Sequence, residues 1–154
     1  MFGYTNIERI DLLKINTNNV EDMSHMFEHC GSLIDFDISK FNTEKVKDMS
    51  YMFYYCTSIS SLDLSNFKTS NVLNMSHMFQ ECLLLSSLII NSFETYSVMD
   101  MSYMFDNCGS LENLDLSNFK TNNVLNMSHM FSYCNKLNDL DINTFETKKV
   151  EDKS

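Results

Sequence analysis

Two patterns of apolar and polar residues alternate along the chain. The first has the form Leu-x-x-Leu-x-Leu-x-x-Phe, as in residues 111–119. Its Leu-x-Leu centre predicts a short strand whose alternate side chains face a core. The second, in residues 75–82 (MSHMFQEC), spaces two Met, one Phe and one Cys at i, i+3, i+4 and i+7. This spacing predicts a short helix with one apolar face, and Asn74 directly before it is a typical N-cap.

Both patterns recur every 26 residues without an insertion, as the cysteines at positions 30, 56, 82, 108 and 134 show. The chain is therefore predicted to be a tandem array in which a strand, a turn and a short helix form one coil. A single coil buries too little apolar surface to fold alone, so the coils must stack. We expect a single domain over residues 1–154. Its predicted parts are a leading strand 7–19, five coils (20–45, 46–71, 72–97, 98–123 and 124–149) and a terminal stub 150–154.

The two ends of the array are predicted to be open. The first strand is supplied by Ile7, Ile10, Leu12 and Ile15, but its helix is missing from the pattern. At the other end, Lys153 stands where the repeat has Met and is only a weak polar cap. Open solenoid ends favour either a longer array or end-to-end self-association.

The full repeat, V-x-[DN]-M-S-x-M-F-x-x-C-x-x-L-x-x-L-D-L-S-x-F-x-T, closely resembles that of the BspA-like leucine-rich-repeat surface proteins, which include repeat lipoproteins of mycoplasmas. The resemblance covers residues 7–152. It implies a right-handed α/β solenoid, with a parallel strand ladder on the concave side and short helices on the convex side. Phe119 and its equivalents occupy the position at which common leucine-rich repeats have Asn or Cys. No asparagine ladder is therefore expected.

The same resemblance implies a cell-surface or secreted array that mediates adhesion and protein–protein contact and has no enzymatic activity. The N-terminus lacks the basic region of a signal peptide, which leaves a cytoplasmic location as the alternative. No apolar stretch approaches the roughly 18–20 residues of a membrane span. The formal net charge of −10 argues against nucleic acid and anionic membranes and favours a basic partner or a divalent cation.

Cysteines, histidines and phenylalanines are the first side chains to consider as metal ligands, catalytic groups or core residues. Zinc-type Cys-x-x-Cys spacing is absent, and each cysteine lies on the predicted apolar face, so buried reduced thiols are expected, with no metal and no cofactor. His25 and His29 form an i, i+4 pair, but a solvated outer surface is the simpler interpretation, and Ser24 beside His25 lacks an orienting acid. The predicted structural core columns are Cys30, Cys56, Cys82, Cys108 and Cys134, and Phe27, Phe53, Phe79, Phe105 and Phe131.

A column of aspartates is the main candidate binding surface. They occupy the middle of Leu-x-Leu and should point outward from neighbouring strands, about 4.8 Å apart. Three interpretations remain open: a solvated face with hydroxyl partners such as Ser39 and Ser65, a recognition surface for a basic partner, or a cation site. The column consists of Asp11, Asp37, Asp63, Asp115 and Asp141, and Ile89 interrupts it.

Irregular positions are the second candidate surface. Leu83 and Leu84 replace the small polar pair of other coils, Ile89 replaces Asp, and tyrosines crowd one coil at residues 51–55. Exposed apolar residues and tyrosines often form interfaces, although sequence drift explains them equally well.

The sequence therefore predicts a non-catalytic protein-binding or adhesion module that uses the concave acidic strand face. Its partner would be a protein, basic or a component of a host or cell surface. A self-associating structural spacer or an intracellular scaffold is the alternative.

Overall fold

The computed structural model describes residues 1–152 and shows coils stacked at a constant step along the chain. Four short strands are present: β1 (Arg9–Ile10), β2 (Asp35–Phe36), β3 (Ser61–Asp63) and β4 (Ser87–Ile89). β1 pairs in parallel with β2, and β3 pairs in parallel with β4. Every paired residue lies 26 positions from its partner, so the predicted leading strand and the strands of the first three coils form two separate parallel pairs in the register of the repeat. The strands predicted around residues 111–116 and 137–142 are reduced to one parallel bridge between Asn113 and Asp139.

A second set of parallel bridges joins the coils at the residue before Met-Ser-x-Met-Phe. Asp22 pairs with Asp48, Asp48 with Asn74, and the series continues to Asp152. The side chain of this residue also folds the chain locally, because its Oδ1 accepts the N–H two residues later, as from Ser24 to Asp22 at 2.8 Å. The predicted N-cap residues therefore close Asx turns.

The predicted helices are wrong: residues 1–152 contain none. The Met-Ser-x-Met-Phe segment is instead a series of tight turns. In the second coil, the N–H of Met52 donates to Met49 and that of Tyr54 to Tyr51, at 3.3 and 3.1 Å. Since i, i+3, i+4 and i+7 face inward in these turns as they would in a helix, the apolar spacing did not distinguish the two.

The remaining N–H groups of this turn segment point along the stack. Tyr51 donates to the carbonyl of Ser76 at 3.0 Å, and Phe53 donates to that of Met78 at 2.9 Å. In a helix these N–H groups would donate to carbonyls of the same segment. In the turns, every second N–H group donates to a carbonyl of the next coil instead. The backbone is fully paired in this way only while a neighbouring coil is present.

This geometry requires a left-handed backbone at two positions per coil. His77 has a φ of 58° and Glu81 one of 63°, and their equivalents in other coils have similar values. Non-glycine residues enter this region at a cost of about 1 kcal/mol or more, which the packed neighbours must offset.

Stacked phenylalanines form the centre of the core. The rings of Phe27, Phe53, Phe79 and Phe105 lie 5.4 to 5.8 Å apart and within 8° of parallel. All four side chains have 0% exposure, and methionines at two positions of each central coil are buried beside them. The same residue from each coil therefore contacts its equivalent in the next coil.

A column of buried threonines connects the coils on another side. The hydroxyl of Thr69 donates to the carbonyl of Glu94 at 3.0 Å and accepts the N–H of the same residue at 2.8 Å. Thr43 makes the same pair of bonds with Lys68. One hydroxyl thus satisfies a donor and an acceptor of the next coil.

The N-terminal residues form part of a turn segment, which the sequence pattern did not predict. The N–H of Phe2 donates to Met26 and that of Tyr4 to Glu28, both at 2.7 Å. The Phe2 ring stacks on Phe27 at 5.6 Å. This stretch lies 25 rather than 26 residues before its equivalent, and the missing residue concealed it. At the other end, Lys153 lies outside the described residues.

The left-handed position of His77 gives a direct test of the turn geometry. We expect His77→Val to lower the free energy of unfolding by about 1–2 kcal/mol more than His77→Asn, because a β-branched residue tolerates positive φ poorly and Asn tolerates it well. Both variants remove the ring, so the difference in urea midpoint isolates the backbone. Equal stabilities would contradict the turn structure.

The threonine column gives a second test. Thr69→Val keeps the shape but leaves the Glu94 N–H and C=O without the hydroxyl, so we expect a loss of about 2–3 kcal/mol in the free energy of unfolding. Thr69→Ser keeps the hydroxyl and should lose about 1 kcal/mol for the missing methyl. Urea unfolding followed by circular dichroism measures both, and a Val variant as stable as the Ser variant would refute the role of the hydroxyl.

Candidate functional site

The outward side chains of the paired strands form a surface that we call the strand face. In β3, Leu62 is buried, while Ser61 and Asp63 on either side of it are exposed. The register places Asp63 beside Ile89 of β4. The strand face is defined by the aspartate column and by the column two residues earlier: Asp11, Asp37, Asp63, Ile89, Asp115 and Asp141, with Arg9, Asp35, Ser61, Ser87, Asn113 and Asp139.

Each aspartate of the column closes an Asx turn, including Asp115 and Asp141, whose coils form no strand there. Oδ1 of Asp37 accepts the N–H of Ser39 at 2.8 Å, and Oδ1 of Asp63 accepts that of Ser65 at 2.9 Å. The pKa of both carboxyls lies below the usual aspartate value, because the serine donates through its hydroxyl and its backbone N–H. The carboxylates are therefore held in one orientation and stay ionised well below neutral pH.

An acidic groove lies between two coils on this face. A cavity of about 430 Å³ is lined by residues 34–39 and by parts of 61–66, and Asp35, Asp37 and Asp63 border it. Asp35 forms an ion pair with Arg9, in which Nε of Arg9 lies 3.8 Å from Oδ2 of Asp35. Both side chains are largely exposed, so this pair neutralises the groove only weakly.

The irregular apolar residues do not all share one surface element. Ile89 is 42% exposed on the strand face, whereas Leu83 and Leu84, at 39% and 56%, lie in the turn before β4. A further exposed column was missed from the sequence: Leu73, Met99 and Leu125 precede the Asx-turn residue of three consecutive coils. The recognisable feature was an apolar residue where earlier coils carry Glu21 and Lys47.

The histidines belong to a stacked column of rings. His25, Tyr51, His77, Tyr103 and His129 follow one another at ring-centroid distances of 4.3 to 4.9 Å. Each histidine is thus separated from the next by a tyrosine. Among residues 1–152, no group of three or more His, Cys, Asp or Glu side chains is arranged to hold a metal ion.

His29 and the turn serines also have structural partners. The His29 ring stacks on Tyr4 at 4.7 Å and contacts Tyr55 at 4.8 Å, so the predicted outer pair with His25 is divided between two ring columns. The hydroxyl of Ser50 donates to Asp48 at 2.6 Å.

The cysteine thiols are hydrogen-bond donors inside the core. Sγ of Cys56 donates to the carbonyl of Phe27, and Sγ of Cys82 to that of Phe53, both at 3.2 Å. Burial raises the pKa of these thiols far above the usual range, and it raises the pKa of the less buried Cys134 to about 11. A protonated, buried thiol is a poor nucleophile and metal ligand.

Asp106 carries the one buried side-chain oxygen without a hydrogen-bond partner in the described part of the chain. Its other oxygen accepts from Nε2 of Gln80 at 2.7 Å. The carboxyl is enclosed by the turn segments and does not open onto the acidic groove lined by the strand face.

The structure contains no helix that is long and apolar enough to cross a membrane within residues 1–152.

Comparison with solved structures supports the leucine-rich-repeat architecture. The crystal structure of a leucine-rich repeat protein from Bacteroides ovatus, determined at 1.19 Å resolution, matches with a TM-score of 0.50 at 18% sequence identity. The match covers 97% of this chain and 43% of the Bacteroides chain, so this chain spans less than half of that protein. At this identity the likeness concerns the fold alone. No curated protein matches the chain.

A family model matches residues 1–89 and 85–154 and therefore covers the whole repeat array. This match confirms the expected relation to mycoplasma proteins, and the structural match supports the leucine-rich-repeat fold alone. The chain belongs to the family described as Mycoplasma protein of unknown function, DUF285.

Proposed function

We propose that the chain is a non-catalytic adhesion module that binds a basic surface of a partner protein through the strand face. The observation that carries this proposal is the column of oriented aspartates, of which Asp37 and Asp63 border an acidic groove of about 430 Å³. Since one oxygen of each carboxylate is fixed by a turn, the column is oriented before a partner arrives. That preorganisation reduces the entropy lost on binding.

The partner chemistry follows from charge. The whole chain carries a formal net charge of −10. Three aspartates, Asp35, Asp37 and Asp63, border the groove. Lysine and arginine side chains on an incoming protein would be steered to this face and would gain carboxylate contacts without displacing internal bonds of the coil. Binding of this kind weakens as salt is added.

We also place the module at the cell surface, because its family is defined on mycoplasma proteins and an adhesion module must meet its partner outside the cell. Mild proteolysis of intact cells that express the native gene tests the location. Rapid loss of the protein supports surface exposure, and full protection until the cells are lysed would refute it.

The strand-face proposal predicts a charge-specific loss of binding. Asn can accept the same N–H as Asp, as Asn74 does from Ser76 at 3.0 Å. The triple variant Asp37→Asn, Asp63→Asn and Asp115→Asn should therefore fold normally while losing three charges. We expect its affinity for a synthetic lysine-rich peptide, measured by calorimetry at low salt, to fall about tenfold or more.

A matched triple variant provides the control. Asp22→Asn, Asp48→Asn and Asp100→Asn changes the net charge equally and alters the same kind of turn on a different column. Its affinity for the peptide should fall much less. If both triple variants weaken binding equally, the peptide responds to overall charge and the strand face is not the binding site.

A further inference from the structure

The stack has a row of tight turns whose tips point to solvent. At residues 95–98, the N–H of Val98 donates to the carbonyl of Thr95 at 3.0 Å, and both side chains are buried. Tyr96 at the tip and Met99 after the turn are 50% and 45% exposed. Equivalent turns close at residues 17–20, 43–46, 69–72 and 121–124. The two tip residues and the residue after the turn therefore form three exposed columns along one side of the stack, which we call the turn-tip face.

Three consecutive coils place an apolar residue directly after this turn. Leu73, Met99 and Leu125 are between 40% and 45% exposed. The N–H of Met99 donates to the carbonyl of Leu73 at 2.8 Å, and that of Leu125 donates to Met99 at the same distance. Backbones bonded in this way lie about 4.8 Å apart, so the three side chains form a continuous apolar strip about 10 Å long. Single exposed apolar residues are ordinary, whereas a continuous strip indicates a contact surface.

Exposed charges flank the strip, with opposite order on its two sides. One step before Leu73 along the stack, Glu44 lies at a turn tip and Lys47 after the turn. One step after Leu125, Lys148 lies at the tip and Glu151 after the turn. The turn-tip face carries four lysines and three glutamates in all: Glu21, Glu44, Lys45, Lys47, Lys148, Lys149 and Glu151. It is therefore a nearly neutral side of a chain with a formal net charge of −10, and two copies can approach there with little repulsion.

We infer that two copies of this chain pair side by side and antiparallel through the turn-tip face, about a two-fold axis at Met99. The facing positions are Met99 with Met99, Leu73 with Leu125, Lys47 with Glu151, and Glu44 with Lys148. Each apolar residue of the strip thus meets an apolar residue of the second copy, and both flanking columns meet opposite charges. The turn-tip face shares no residue with the strand face, so this pairing is independent of the proposed binding of a basic partner.

The order of residues along the face disfavours the other ways to pair two copies. In a parallel pair each residue would face its own equivalent, so Lys47 would meet Lys47 and Glu151 would meet Glu151. An antiparallel pair shifted by one coil would place either Lys47 against Leu125 or Glu151 against Leu73. Both alternatives bring like charges together or bury a charge against an apolar side chain, and each of these contacts costs free energy.

Competing contacts and a small area make the pair weak. Lys45 faces Lys149, although the ammonium of each is bonded to an asparagine of its own copy at 2.7 and 2.8 Å. Lys47 already contacts Glu21 at 2.7 Å, and both side chains are exposed, so exchanging Glu21 for Glu151 adds little. Five positions at about 4.8 Å give a contact about 20 Å long, smaller than a standard interface of roughly 800 Å² per partner. We therefore expect a dissociation constant on the order of 100 µM.

Sedimentation equilibrium of the complete chain, from micromolar to millimolar concentration, measures the pairing. The mean mass should rise from 18.0 kDa toward twice that value and stop there, because a two-fold contact is closed. A monomer at every concentration would overturn the inference, and so would a mass that continues to rise past the dimer.

A charge at the axis should abolish the dimer. Met99→Asp places two carboxylates face to face, and because Met99 is 45% exposed the variant should keep the circular dichroism of the parent chain. We expect it to be monomeric up to millimolar concentration. Ile89→Asp is the matched control, since it adds the same charge at a residue of the strand face that is 42% exposed, and it should pair like the parent chain. Dimers of Met99→Asp, or equal loss of pairing in both variants, would refute the turn-tip contact.

Cysteine cross-linking tests the register. Met99→Cys should give a covalent dimer under a mild oxidant, because its thiol faces that of the second copy. Leu73→Cys alone should not, since its two copies lie about 10 Å apart along the stack, beyond the reach of a disulfide. A mixture of Leu73→Cys and Leu125→Cys should cross-link, and the parent chain gives the background from its own, mostly buried cysteines. If Leu73→Cys alone cross-links as fast as Met99→Cys, the copies are parallel and the inference is wrong.

Exchanging charges provides a second test of the register. Lys47→Glu should raise the dissociation constant about tenfold, because two pairs of opposite charges in each dimer become pairs of like charges. Glu151→Lys should also weaken pairing, even though it makes the net charge less negative. The two changes together in one chain restore opposite charges at both positions and should recover the parent affinity. A double variant as weak as either single variant, or tighter pairing of Glu151→Lys, would overturn the antiparallel arrangement.

The strand-face triple variant separates this pairing from partner binding. Asp37→Asn, Asp63→Asn and Asp115→Asn together leave the turn-tip face unchanged, so the variant should pair at least as strongly as the parent chain while its affinity for the lysine-rich peptide falls. Loss of pairing in this variant would show that the lysines of one copy bind the aspartates of another, which would refute the antiparallel contact.

Discussion

The donation of backbone N–H groups from one coil to the next is the interaction on which the rest of the structure depends. Every second residue of the turn segment donates along the stack, as Tyr51 does to Ser76. A residue added or removed within the turn segment itself would move its carbonyls away from these donors and leave buried polar groups unpaired. This requirement explains why five successive steps of 26 residues contain no insertion. It also explains why ring columns and hydroxyl columns align so closely.

The sequence predicted correctly those features that depend on the alternation of inward and outward side chains and on the 26-residue spacing of the repeat. The Leu-x-Leu core indicated parallel strands, and Asp63 does lie outward between buried leucines. Sequence reasoning failed for the Met-Ser-x-Met-Phe segment, because a helix and a series of turns place the same residues toward the core. Met75, Met78 and Cys82 face the core in a turn series as they would in a helix, and only the axial bonds to the next coil decide between them. Those bonds are contacts between coils and leave no mark in the spacing of a single coil.

The contacts that the sequence did not predict have a similar origin. The column of His and Tyr rings joins residues 26 positions apart, so its stacking at 4.3 to 4.9 Å depends on the coil spacing and not on local pattern. The turn residues 1–5 escaped notice because they lie one residue out of register with the repeat. Leu73 and Met99 were overlooked because a single exposed leucine or methionine is ordinary, and only the stacking makes them neighbours.

The repeat separates what holds the coils together from what a partner can reach. Inward methionines, phenylalanines, cysteines and threonines carry the packing and the axial bonds, so those positions vary little from coil to coil. The strand face contributes only an Asx turn to the fold, a role that Asn fills equally well in another column. Asp63 is therefore not needed as a charge for folding. A charge that the fold does not require, held in a fixed orientation beside a groove, is the feature on which the proposed recognition of a basic partner rests.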